Sequence, residues 1–101
     1  MTTSLEEAQT AKTRREDAFR REMESIKKTY EEAARRVKEH IEMMESISVG
    51  TSTVYLQETS ELSVILNYYH NEVNRKVTRL IDRVQEIVVV EQHIAQINRR
   101  E

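Results

Sequence analysis

The chain has 101 residues, of which 34% are charged and 5% are aromatic, and it contains one glycine and no proline, cysteine or tryptophan. With 16 basic and 18 acidic residues its formal net charge is −2, so no overall positive field would recruit nucleic acid or an anionic membrane. The lack of cysteine excludes disulfides and thiol chemistry, and the sequence shows neither an apolar run long enough for a membrane span nor a signal-peptide pattern. We therefore expect a soluble, cytoplasmic helical protein, with unconventional secretion as the open alternative.

The first helix is predicted over about residues 4–47. Ser4 and Glu7 match a capping box, in which the serine oxygen and the glutamate carboxylate satisfy amide groups of the first turn. From Phe19 onward, seam positions recur at alternating gaps of four and three residues, which is the heptad pattern of a helix that packs along one stripe. The seam residues expected in a hairpin core are Phe19, Met23, Ile26, Tyr30, Val37 and Met44.

Gly50, surrounded by hydroxyl residues, predicts a tight turn over about residues 48–53. Glycine suits the left-handed conformation that often ends a helix. A continuous helix through Gly50 and a short strand over residues 53–56 are the alternatives. The residues suited to cap the next helix are Thr51, Ser52 and Thr53.

The second helix is predicted over about residues 54–99, with a broader apolar face than a single partner helix would cover. Because the turn lies near the middle of the chain, residues 1–101 are expected to form one module. The predicted fold is all-α: two long helices forming an antiparallel helical hairpin or coiled coil, which assembles into a dimeric four-helix bundle. The residues of this helix expected in the hairpin core are Leu62, Leu66, Tyr69, Val73 and Val77.

The stretch EIVVVEQHIAQI, residues 86–97, contains four consecutive β-branched aliphatic residues. In a hairpin that turns at Gly50 it faces Gln9, Lys12 and Glu16, whose polar ends are poorly suited to bury that surface. We therefore expect a second chain to cover it, most simply a second copy in a homodimer, or else a cognate helical protein. The expected interface residues are Leu80, Val84, Ile87, Val88, Val90, Ile94 and Ile97.

Basic residues recur every seven positions on the first helix, at Arg14, Arg21, Lys28 and Arg35. Acidic residues four positions ahead of the last three favour an exposed face held by ion pairs within the helix. The alternative is a stripe that binds an acidic polymer, such as a nucleic acid or the acidic tails of a cytoskeletal protein.

The three histidines, His40, His70 and His93, predict no metal centre, because none has a carboxylate three residues before it and no two share a helical turn. His40 is interpreted as a polar seam residue that fixes the pairing register. The sequence VILNYYHNE, residues 64–72, is a further candidate docking surface, although the favoured interpretation places Tyr69 in the core and Tyr68 at its rim.

Two helical arms joined by a turn near mid-chain resemble the small secreted helical hairpins of type VII secretion systems. Those proteins turn at a Trp-x-Gly motif, and the corresponding residues here read Ser48-Val49-Gly50, so the glycine is present and the tryptophan is absent. The resemblance implies a secretion-system substrate or chaperone. Coiled-coil segments of cytoskeletal or kinetochore scaffolds share the same plan.

No phosphate-binding loop, nucleophile or recognisable catalytic pair occurs in the sequence, so we expect neither an enzyme nor a small-molecule substrate or cofactor. The function that we expect is a protein-protein interaction or scaffold module that self-associates through its second helix.

Overall fold

The computed structural model describes residues 3–100, which form two helices joined by residues 46–51. Helix α1 spans Ser4–Glu45 and helix α2 spans Ser52–Arg100. Each helix boundary at the turn lies two residues earlier than expected, since α1 ends before residue 47 and α2 begins before residue 54. Neither helix in the described part of the chain has a stretch both long and apolar enough to cross a membrane.

The capping box of α1 lies one residue earlier than the sequence pattern indicated. Thr3 Oγ1 accepts a hydrogen bond from the Glu6 amide at 3.1 Å, and the Thr3 amide donates to the Glu6 carboxylate at 3.4 Å. The main-chain oxygen of Thr3 also accepts from the Glu7 amide at 3.0 Å. Ser4 is therefore the first helical residue rather than the cap, because Thr3 and Glu6 already provide the reciprocal pair.

The turn is closed by hydroxyl groups on both sides. Ser46 Oγ donates to the Met43 carbonyl at 2.6 Å at the end of α1. Thr51 Oγ1 accepts from the Val54 amide at 3.4 Å, as expected of a cap for α2.

Gly50 does not adopt the left-handed conformation expected of it, since no residue from 3 to 100 has a positive φ. Its role is steric: a Cβ at this position would lie 2.6 Å from Cζ of Tyr55. Glycine therefore leaves room for the tyrosine ring beside the turn.

The helices pack within two compact units, each containing a segment of α1 and a segment of α2. Among the described residues, unit 1 comprises 3–25 and 76–100, and unit 2 comprises Ile26–Arg75. In unit 1, Glu22 contacts Arg83 at 3.6 Å and Lys12 contacts Glu91 at 3.9 Å, so residue numbers rise along one helix as they fall along the other. This antiparallel pairing confirms the predicted all-α helical hairpin.

The interior of unit 1 is apolar and made of small or β-branched residues. Ala8, Val90 and Ile97 are each at most 9% exposed. The Lys12–Glu91 contact places Ala8 level with the turn of α2 between residues 94 and 97. Lys76 Nζ also donates to Ser25 Oγ at 2.8 Å, so a polar contact joins the two helices at the other end of the unit.

The interior of unit 2 mixes an aromatic ring with polar groups. Tyr69 and Thr29 are its buried residues. Tyr68 packs edge to face on Tyr69, with the ring centroids 5.0 Å apart and the planes at 85°. His40 Nε2 lies 2.8 Å from the Glu58 carbonyl oxygen, so a histidine links α1 to α2.

Four residues that we expected in the hairpin core are exposed in the structure. Tyr30 is 69% exposed, whereas Thr29 beside it is buried, so the inward face of α1 is rotated by one residue here. The seam residue between Ile26 and Ala33 can lie either three or four residues after Ile26, because both spacings keep it on the same helix face. We attribute the choice to size, because a small threonine permits closer helix packing than a tyrosine does. The other three exposed residues are Met23, Leu66 and Val77.

The remaining expected core residues lie inside or partly inside the two units. Tyr69 is buried. The half-buried members of the set are Phe19, Ile26, Val37, Met44, Leu62 and Val73.

Candidate functional site

The residues expected to form an interface divide into three groups in the structure. Val90 and Ile97 lie in the interior of unit 1, so they do not present surface to another chain. Val84 and Val88 are exposed. The half-buried members are Leu80, Ile87 and Ile94.

Val90 is covered by its own chain, contrary to the expectation that the polar residues of α1 could not shelter it. The antiparallel register places Lys12 and Arg15 level with Val90, and both side chains are half-buried. Their charged ends reach polar atoms, since Lys12 Nζ lies 3.9 Å from Glu91 and Arg15 donates to the Ala11 carbonyl at 3.4 Å. The aliphatic stems can therefore line the interior while the charges remain solvated.

Part of the apolar surface that stays uncovered in unit 1 forms a continuous line along α2. Its side chains are between 40% and 54% exposed and follow one another at gaps of four, three and four residues, which places them on one helix face. Its first and last residues are eleven positions apart, so the line extends about 16 Å. We refer to this surface as the α2 stripe, and it consists of Val77, Ile81, Val84 and Val88.

The edges of the α2 stripe are uncharged. In a heptad frame that places the stripe on the contact seam, Thr78 and Gln85 occupy one edge, and the half-buried Leu80 and Ile87 occupy the other. Charged residues at these positions usually determine which helix can pair with which. Their absence lets an identical stripe approach without repulsion between like charges.

Unit 2 carries an apolar groove of about 610 Å³ on the α1 side of its helix pair. Tyr30, Val37 and Leu66 contribute its apolar wall, and Lys38 and Glu42 lie at its border. The exposure of Tyr30 and Leu66 follows from this position at the groove wall. The sequence pattern identified both as apolar but did not show that they line a surface.

The candidate docking stretch over residues 64–72 is divided between interior and surface. Tyr69 belongs to the interior of unit 2, whereas Tyr68 and Val64 are exposed. These two exposed residues line a second and smaller groove, of about 270 Å³, together with Arg36. His70 is exposed and lies 3.2 Å from Asn74 on the same helix.

A polar cluster next to the turn was missed by sequence reasoning. Donor atoms of His40, Glu58 and Glu61 all lie within 4.8 Å of one another. His40 comes from α1 and the glutamates come from successive turns of α2, so the cluster depends on the register between the helices. Spacing along one helix, which was the signal tested for metal binding, does not detect such a cluster. We refer to these three residues as the His40 cluster.

The basic residues spaced seven apart on α1 are all exposed. Their ion pairs differ from those expected: Arg35 contacts Glu39 at 2.9 Å, and Asp17 contacts Arg20 at 3.0 Å. Such exposed pairs contribute little to stability. They are consistent with a solvated helix face and leave the acidic-polymer alternative to experiment.

Comparison of the chain with protein-family models, with curated protein sequences and with solved structures yields no match. The functional argument therefore depends on the surfaces and clusters of this molecule.

Proposed function

We propose that this chain is a non-enzymatic interaction module that self-associates by pairing the α2 stripe with that of a second copy. The observation that carries the proposal is the line of half-exposed aliphatic side chains with uncharged edges. A cytoplasmic location is part of the same proposal.

The small interior of the hairpin supports this assignment. Among residues 3–100 no large side chain is fully buried, and four hydrophobic residues make up the buried core. A fold of this size gains stability by covering exposed aliphatic surface with another chain. The apolar, uncharged character of the α2 stripe favours an identical helix over a charged polymer, which would find no counter-charge there.

The expected strength of the pairing is moderate. Full burial of an aliphatic side chain contributes about 1.5–3 kcal/mol, so covering the exposed half of each contributes about 1 kcal/mol. Two stripes together with their half-buried edges would contribute about 10 kcal/mol, and loss of rotational and translational freedom costs about 4 kcal/mol or more. The difference corresponds to a dissociation constant on the order of tens of micromolar. We therefore expect a dimer that forms with rising concentration rather than an obligate one.

Sedimentation equilibrium of the full chain, over concentrations that bracket this dissociation constant, tests the proposal. Val84→Asp places a charge in the α2 stripe and should keep the chain monomeric throughout. Val64→Asp is the matched control, because it makes the same change at an exposed valine of α2 outside the stripe. It should dimerise like the wild type. A wild type that remains monomeric at all concentrations, or a Val64→Asp variant that alone loses dimerisation, contradicts the proposal.

Salt dependence separates this function from the acidic-polymer alternative. Pairing of aliphatic side chains should persist as ionic strength rises, because it involves no charge neutralisation. Binding of a polyanion through Arg14, Arg21, Lys28 and Arg35 should weaken steeply.

A further inference from the structure

The structure points to a site for a divalent transition-metal ion in the His40 cluster, and we propose that Zn²⁺ or a cation of the same class binds there and joins α1 to α2. This site lies in unit 2 and is independent of the proposed self-association through the α2 stripe of unit 1.

The first support is the chemistry and burial of the donors. An imidazole with two carboxylates is a ligand set used by zinc and by other first-row metals. The side chain of His40 is 9% exposed and that of Glu58 is 19% exposed, so two of the three donors are held within the packed helix pair. Glu61 is exposed and approaches from the solvent side.

The second support is an oxygen atom without a partner. Glu58 Oε2 is buried and accepts no hydrogen bond from the described residues. It lies 3.6 Å from Nε2 of His40, whose closer neighbour is the Glu58 carbonyl oxygen at 2.8 Å. When the Nε2 N–H of His40 donates its hydrogen bond to the carbonyl oxygen, Oε2 of the Glu58 carboxylate is left without a donor. A buried and unpaired oxygen of this kind is costly unless an ion or water compensates it.

Metal binding requires two local adjustments. Nε2 of His40 must give up the proton that it donates to the Glu58 carbonyl and turn away from that oxygen, and one exposed side chain must move. Ligand atoms about 2.0–2.2 Å from a tetrahedral metal lie roughly 3.4 Å from one another. His40 Nε2 and Glu58 Oε2 are already at 3.6 Å. The whole cluster fits within 4.8 Å, so Glu61 must move inward by about 1 Å. Three protein ligands leave a fourth position for water.

Metal binding at this site would stabilise the fold, because the three ligands lie close together only when the chain is folded. His40 and Glu58 are 18 residues apart in sequence and lie on different helices. The midpoint of thermal unfolding should therefore rise as the metal concentration increases above its dissociation constant.

The test uses the full chain, freed of metal by chelation and then titrated with Zn²⁺ by calorimetry and with Co²⁺ by visible absorption. We expect one saturable site per chain, absorption bands of a tetrahedral or five-coordinate cobalt centre and a raised melting temperature. Glu61→Gln removes a ligand from an exposed position and should weaken binding by more than about tenfold without affecting the fold. His40→Gln should also abolish the cobalt bands while keeping a hydrogen-bond donor near the Glu58 carbonyl.

His93→Gln provides the matched control, since His93 is an exposed histidine of unit 1. This variant should bind Zn²⁺ and Co²⁺ like the wild type. The proposal is overturned if the wild type shows no saturable site. It is equally overturned if Glu61→Gln and His40→Gln bind as tightly as His93→Gln does.

Discussion

The two compact units of this protein are built from the same pair of helices but bury different chemistry. Unit 1 has an apolar interior of Ala8, Val90 and Ile97, and it also carries the exposed α2 stripe. Unit 2 buries Tyr69 and Thr29, and its His40, whose side chain is 9% exposed, contacts the opposite helix. An aliphatic helix face with uncharged edges suits pairing with another helix, whereas buried donors fixed between two helices suit a small ligand. This difference underlies the two proposals, which place assembly in unit 1 and metal binding in unit 2.

The largest loss of stability is expected when a charged residue is placed in the interior of unit 1. Val90→Asp should lower the free energy of unfolding by about 3 kcal/mol or more, because a charged carboxylate would replace an aliphatic side chain in the apolar interior. Urea unfolding measures the change through its midpoint. Val89→Asp is the matched control, since Val89 is 63% exposed, and its midpoint should move little. Equal losses in both variants would show that Val90 is not an interior residue.

Tyrosine truncation tests the interior of unit 2. Tyr69→Ala should cost about 3 kcal/mol, because it removes a buried ring and leaves a cavity. Tyr68→Ala should cost about 1 kcal/mol, since that ring is exposed and loses mainly its edge-to-face contact. Chemical denaturation of the two variants provides the comparison. A larger loss for Tyr68→Ala would reverse the assignment of interior and rim.

The helix caps provide a smaller contrast between the units. Thr3→Ala should destabilise by about 1 kcal/mol, because the Thr3–Glu6 capping box supplies two reciprocal hydrogen bonds. Thr51→Ala should cost less, since its one cap bond is longer, at 3.4 Å. Amide hydrogen exchange in the first turn of each helix reports the difference. Ser4→Ala should leave amide exchange in the first turn of α1 unchanged. Faster exchange there would show that Ser4, rather than Thr3, caps the helix.

The smallest effect is expected at Gly50. Gly50→Ala should change the free energy of unfolding by about 0.5 kcal/mol or less, because the new Cβ meets only the outer end of the half-exposed Tyr55 ring, which can move aside. The double variant with Tyr55→Ala should show no penalty from the alanine at position 50. Thermal unfolding measures both. A loss above about 1 kcal/mol in the double variant would indicate a backbone constraint at Gly50.

The sequence was sufficient to predict two long helices and a turn, because heptad spacing and a single glycine are local signals. The sequence did not determine which of the adjacent residues Thr29 and Tyr30 faces inward. Both positions fit a seam whose successive residues are three or four apart. The sequence also did not show that Val90 would be buried within its own chain, level with the half-buried Lys12 and Arg15. Both outcomes depend on how closely the helices approach.

The two candidate sites were accessible from sequence to different extents. Val84 and Val88 were predicted to be interface residues because their apolar character is visible in the sequence. Val77 was assigned to the core, and its exposure became apparent only from the packing of α2. The His40 cluster could not be predicted, because its three donors come together only in the register that the folded helices adopt.

The most direct measurement of the proposed assembly is the distance between spin labels on two copies of the chain. Since the sequence contains no cysteine, Gln85→Cys gives a single attachment point at the edge of the α2 stripe. Helices packed through a line about 16 Å long should bring two such labels within about 20 Å in either orientation. A label at Val64→Cys should show a longer distance or none. Absence of coupling between labels at position 85, in a sample concentrated well above the expected dissociation constant, would contradict the pairing of the α2 stripes.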